Sequence, residues 1–146
     1  MAVFYKIWDF IQNLKKNAAQ IDKSSEDLNN NTTPPHKSLS IKDKEFMEKL
    51  HSMMENEISS TDIDIEKIAA TMFTSRSRLF YKVKELTGMT PQKYFMEYRL
   101  ERAEELLREG KYSITEISEM TGFVNASHFS TKFKKKYGIA PSRYNR

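Results

Sequence analysis

The sequence predicts an all-α chain: two pairs of short helices, each hinged at a tight turn, joined by one long helix and preceded by an amphipathic helix. Three observations carry this. Only four Gly and four Pro occur in 146 residues, while Lys, Glu, Leu, Ile and Met are abundant, a composition that favours helix. Apolar residues recur at spacings of three and four behind helix-capping residues. The later half of the chain also repeats the cap, core and stop pattern of the earlier half, giving about seven helices besides the N-terminal one.

Phe4, Ile7, Ile11, Leu14, Ala18 and Ile21 form a short heptad-like seam, widened by Trp8 and Phe10, on a helix expected over residues 1–23. So short a seam is marginal as an isolated coiled coil. It serves as a weak dimerisation helix, making a homodimer, as the remnant of a larger upstream domain, or as a helix packed on the main domain. An interfacial membrane helix, suggested by Tyr5, Trp8, Lys15 and Lys16, fits less well. Residues 24–39 are polar and Asn-rich, contain Pro34-Pro35 and lack a hydrophobic period. They read as a flexible linker and mark the clearest domain boundary.

The main domain is expected over residues 40–146. Ser40 with Asp43 resembles a capping box, and the following helix carries Phe46, Leu50, Met53 and Met54 on one face to about Ile58. Asp64 caps a short helix with Ile65, Ile68, Ala69 and Met72 on its apolar side. Ser75 caps the next, in which Leu79, Val83 and Leu86 face inward and Gly88 ends the run. Thr90 caps and Pro91 opens a long helix to about Glu109, since Pro is tolerated where the N–H would be unpaired anyway. Met96, Leu100, Ala103 and Leu107 form one row on it, while Phe95, Tyr98 and Leu106 lie off that row. Apolar residues on more than one side suit a helix packed between two subdomains. After Gly110, Ser113 with Glu116 forms a capping box on another short helix. Asn125 caps the last long one, where Phe129 and Phe133 bury together and Gly138 is the stop.

Shifted by 49, Asp64, Ile65, Ile68 and Ala69 fall on Ser113, Ile114, Ile117 and Ser118. Shifted by 50, Phe73, Ser75, Leu79, Val83, Gly88 and Pro91 fall on Phe123, Asn125, Phe129, Phe133, Gly138 and Pro141. The one-residue difference falls at the turn between the short helices, where an insertion is cheapest. Two short helices joined by a tight turn are the sequence form of a helix-turn-helix, here at residues 64–88 and 113–138.

Charge is distributed unevenly. The chain carries 24 basic and 20 acidic residues, a net +4. Asp43 to Phe73 holds three lysines against eight acidic residues, a net −5, whereas Ala126 to Arg146 holds six Lys or Arg and no acid, a net +6. Positive potential therefore gathers at the second unit, as a phosphate backbone requires. Cysteine is absent, which excludes disulfides and permits a reducing compartment. No apolar run approaches the length of a membrane-spanning helix and no secretory signal follows Met1, so a soluble, cytoplasmic protein is expected. His36, His51 and His128 lie far apart without cysteine, which gives zinc no support. There is no Gly-rich phosphate loop and no Ser-His-Asp set. The pair Glu104-Glu105 reads as solvated in a charged helix. No enzyme activity, metal or cofactor is expected.

On the helix from Ser75 the outward side holds Ser77, Arg78, Tyr81 and Lys84, with Phe80 at its edge; fifty residues on it holds Ser127, His128, Thr131 and Lys134, with Ser130 at the edge. From about Ile41 onward the chain resembles the AraC/XylS family of bacterial transcription regulators. The resemblance rests on Ser75 to Gly88, on Arg99-Leu100 with Ala103 and Leu106-Leu107, and on Gly122-Phe123, Phe129, Phe133-Lys134, Gly138, Pro141 and Tyr144. Ser118 stands where the family usually has Ala, and Met72 where its first turn often has Gly. The first unit is similar to the version attached to hybrid two-component sensors. The resemblance implies a sequence-specific, DNA-binding transcription regulator with duplex DNA and RNA polymerase as partners. It places base-contacting positions at Ser77, Phe80, Tyr81, Ala126, Ser127, Ser130 and Thr131. Hydroxyls bond several base edges, and Phe80, Tyr81 and Ala126 suit thymine methyls. Arg76, Arg78, Lys84, His128, Lys134 and Lys135 suit phosphates or the groove edge. The alternative class is a helical protein-interaction module or adaptor that binds no DNA.

Overall fold

A computed structural model describes residues 41–144; the N-terminal seam, the linker and the Ser40 cap lie outside the described residues. Seven helices are seen among them: α1 (Ile41–Asn56), α2 (Ile65–Thr71), α3 (Arg76–Thr87), α4 (Pro91–Glu109), α5 (Ile114–Met120), α6 (Ala126–Tyr137) and α7 (Pro141–Tyr144). The all-α expectation holds. Local chemistry sets the boundaries. The Asp64 carboxylate accepts from Lys67 N–H at 3.0 Å, Ser75 Oγ from Arg78 N–H at 3.2 Å, Thr90 Oγ1 from Lys93 N–H at 3.3 Å and Asn125 Oδ1 from His128 N–H at 2.7 Å. Ser113 and Glu116 make a reciprocal capping box, so donors that the helix cannot satisfy internally are paired. Gly88, Gly110 and Gly138 end α3, α4 and α6 in the left-handed conformation. The first helix stops at Asn56, two residues short of the expected Ile58.

Two hydrophobic cores share α4. The first joins Met47, Leu50 and Met54 of α1, Ile68 and Ala69 of α2, and Leu79, Val83 and Leu86 of α3 with Tyr94, Phe95 and Tyr98 of α4. The second gathers Leu100, Ala103, Leu106 and Leu107 around Ile117, Phe123, Phe129 and Phe133. A helix apolar on two sides is what this arrangement needs. The inward face of α1 differs from expectation: Met47 and His51 are buried with Leu50 and Met54, while Phe46 and Met53 are only partly covered. Likewise Tyr94 is buried and Met96 only packs on the second core. Glu104, expected in solvent, is 8% exposed. It accepts from the Tyr144 hydroxyl at 2.6 Å and pairs with Arg108 at 2.5 Å, which fastens α7 to α4. Glu105 pairs with Arg102 at 3.2 Å. Ser118 is buried where Ala would fit because its hydroxyl donates to Thr115 O at 2.8 Å.

His51 is held between Tyr94 and Tyr98, with Nε2 against the Tyr94 hydroxyl, while the Tyr98 hydroxyl donates to the Glu55 carboxylate. Burial lowers the imidazole from 6.5 to about 3. The unfolded chain therefore takes up a proton below pH 6.5 that the folded chain refuses until far lower pH. Stability from this group is complete above that pH and falls with acidification, by up to ~1.4 kcal/mol per pH unit. Urea titrations at pH 7 and pH 5 are expected to show a loss larger by about 2 kcal/mol in the parent than in His51→Gln; equal losses would refute it.

The two turns correct the repeat. Phe73 adopts φ 57°, as Gly122 adopts φ 77°. Thr74 N–H donates to Ala69 O, and Phe123 N–H donates to Ser118 O, both at 2.9 Å. The offset of 49 thus continues through the turn: Phe73 corresponds to Gly122 and Thr74 to Phe123, with Val124 as the extra residue. The left-handed turn position is Phe73, not Met72. Phe73 is 95% exposed whereas Phe123 is 3% exposed, so they are not equivalent core residues.

Candidate nucleic-acid interface

On α3, Leu79 and Val83 are fully buried and Leu86 nearly so. Spacings of four and three put these on one side, which turns Ser77, Arg78, Tyr81 and Lys84 to solvent. Phe80 is half-buried at the rim, edge-on to Tyr81 with centroids 5.5 Å apart, and Lys84 Nζ stands 5.8 Å from the Phe80 ring. This face combines two rings with two cations, Arg78 and Lys84. Arg76 lies 3.6 Å from Glu66 of α2, an exposed pair that keeps it near the start of α3. Lys82 is drawn to Asp43 of α1 at 2.6 Å and so holds α3 in place.

On α6, Phe129 and Phe133 are fully buried and form a cluster of tilted and edge-on rings with Phe123, Tyr137 and Tyr144. The opposite side exposes Ser127, His128, Thr131, Lys134 and Lys135, while Ala126 and Ser130 are half-buried at the rim. Thr131 Oγ1 donates to Ser127 O at 3.0 Å, which leaves its lone pairs as acceptors. The His128 ring sits 5.7 Å from Phe123, at the edge of the exposed row. The lysine run divides. Lys134 and Lys135 face solvent, whereas Lys136 turns back onto α4, in contact with Glu97 and 3.7 Å from Glu101.

Each unit therefore presents a short helix anchored by buried rings or aliphatics, with an exposed row of hydrogen-bonding, aromatic and cationic groups. The two rows differ in chemistry: rings, an arginine and a lysine on α3, hydroxyls and a lysine pair on α6. Such rows match groove edges and phosphates. Among the described residues no cluster of three His, Cys, Asp or Glu could hold a metal ion, and no helix is long and apolar enough to cross a membrane.

Three residues that shape this interface were not singled out from sequence for the part they play: Arg99, Gly122 and Lys136. Arg99 is 3% exposed, with Nη1–H donating to Gly122 O at 2.8 Å, Nη2–H donating to Ser60 O, and the guanidinium 4.5 Å from the Phe95 ring. Burial lowers its pKa to about 10, so it remains charged at neutral pH. Its position four residues from both Phe95 and Ala103 is the sequence signal that it faces inward.

A family model described as a helix-turn-helix domain matches residues 68–146. The chain is 33% identical over 112 residues to Histidine kinase P4 of Formosa agariphila, covering 77% of this chain and 8% of that protein. It superposes with a TM-score of 0.64 on a transcriptional regulator with an AraC-type DNA-binding domain from Chromobacterium violaceum, at 30% identity over 70% of this chain and 91% of that one. The C-terminal domain of the two-component response regulator yesN from Fusobacterium nucleatum gives a TM-score of 0.63, at 27% identity over 70% and 99% of the two chains. The chain spans less than half the length of the curated relatives it matches.

Proposed function

This chain belongs to the AraC-type helix-turn-helix family, and we propose that it is a sequence-specific DNA-binding transcription regulator reading two adjacent major-groove segments. The observation that carries this is the pairing of two capped helices, α3 and α6, with exposed polar rows on one continuous 19-residue helix, α4. At ~1.5 Å per residue that connector is roughly 28 Å long, close to the ~34 Å of one DNA turn. Ser77, Phe80 and Tyr81 read one segment, with the rings against thymine methyls; Ser127, Ser130 and Thr131 read the other through hydroxyls, with Ala126 against a thymine methyl. Arg76, Arg78, Lys84, His128, Lys134 and Lys135 meet phosphates or the groove edge. The units differ in side chains, so the site need not be palindromic.

The action is binding, not catalysis, and it takes place in the bacterial cytoplasm with RNA polymerase as a further partner. A direct test is the salt dependence of duplex binding. Lys134→Ala with Lys135→Ala is expected to weaken binding to all duplexes alike and to flatten the slope by roughly one unit per lost contact. An unchanged slope would place these lysines elsewhere. The seam from Phe4 to Ile21 serves self-association in this reading. Sedimentation of a chain lacking residues 1–38 is expected to show less dimer than the full chain; a full chain that is monomeric at high micromolar concentration would end that proposal.

A further inference from the structure

Gly122 sits at the hinge of the second helix-turn-helix, yet its surroundings belong largely to the first unit. A Cβ built on Gly122 would fall inside contact distance of Ile58 O and Ser60 O, in the loop between α1 and α2, and 2.8 Å from Arg99 Cζ. Arg99 sits at the middle of α4 and donates to both sides of this junction, to Gly122 O and to Ser60 O. It is the kind of contact Arg makes and Lys does not: a planar fork whose two arms reach two separate carbonyls. The hinge of one unit is thus seated on a loop of the other, with a buried cation between them.

We infer that Arg99 and Gly122 form a lock that fixes the phase and spacing at which α3 and α6 meet DNA. The continuous α4 helix alone leaves each unit free to rock about its own packing on that helix. The Arg99 fork removes this freedom because it ties both carbonyls to one rigid, buried group. Gly122 is required because only a residue without Cβ allows the approach, and its φ of 77° suits glycine as well. Neither residue touches DNA in this account. Arg99 is a positioning residue that sets how strictly the spacing between the two segments is enforced. Binding entropy saved by this preorganisation appears as affinity for one spacing at the expense of others.

The inference rests on the two-segment reading, and its test separates the two. A site recovered from a random duplex pool is compared with the same site carrying one extra base pair between its segments, for the full chain and for Arg99→Met. The extra pair adds about 3.4 Å and about a tenth of a turn. The parent is expected to lose about tenfold or more on insertion. Arg99→Met binds the original spacing about tenfold more weakly but loses less than about threefold on insertion. In parallel, spin labels at A70C and E119C, in a chain otherwise free of cysteine, report the distance between α2 and α5 without DNA. The distribution is expected to broaden in Arg99→Met at unchanged helical content. Arg99→Lys, which keeps the charge but reaches only one carbonyl, is expected to fall between. If Arg99→Met does not fold, Arg99→Lys carries the test. A parent insensitive to the insertion would sink the two-segment reading and the lock's part in it. A sensitive parent with an equally sensitive variant, or an unbroadened distance, would overturn the lock and leave two-segment reading intact.

Discussion

Phe123→Ala is expected to cost ~3–5 kcal/mol of unfolding free energy, the range for emptying a buried aromatic site. The ring is almost fully covered and lies 5.1 Å from Phe129 and 5.7 Å from His128. Removing it opens a cavity under the start of α6, the helix that carries Ser127, Ser130 and Thr131. Phe73→Gly is expected to act in the opposite direction. That side chain is 95% exposed, so little packing is lost, and its φ of 57° is one that L side chains adopt at a cost of roughly 1–2 kcal/mol. After the entropy gained by a glycine in the unfolded chain, a net stabilisation of up to ~1 kcal/mol remains. Urea denaturation of both variants against the parent measures this. Losses of similar size at the two positions would show that Phe73 and Phe123 are equivalent core residues after all.

What could be read from the sequence, and what could not, divides along the range of the interactions. Asp64, Ser75, Thr90, Ser113 and Asn125 cap their helices through bonds reaching three residues ahead, which sequence spacing reveals directly. Leu79, Val83, Phe129 and Phe133 were legible for the same reason, because helical periodicity names a face. The inward turn of Glu104 was not legible, since its partner Tyr144 lies 40 residues away. Arg99 and Ser60 are 39 residues apart, and so are Lys136 and Glu97. A charged residue read in isolation belongs to solvent, and only tertiary partners reverse that. Phe73 misled for a different reason. Matching by residue type paired it with Phe123, whereas the backbone pairs it with Gly122, because conformation and not hydrophobicity is what that hinge position demands. The exposed rows on α3 and α6 were legible as faces, because the periodicity that names the inward side names the outward one as well.

The central claim is that one chain reads two major-groove segments on one face of the duplex. Inserting five base pairs between the segments of a selected site tests it most directly, because about half a turn carries one segment to the opposite face. One unit then loses its base contacts. At ~1–3 kcal/mol for each position, losing two or more lowers affinity by about 100-fold. A full-turn insertion is expected not to restore binding, since α4 is a single helix of 19 residues that cannot lengthen. With the parent site, Tyr81→Ala is expected to relax preference in one segment and Thr131→Ala in the other, which assigns each helix to its half. Undiminished binding after the half-turn insertion would contradict the account: a single unit would then read DNA, and the other would be scaffold or a polymerase contact.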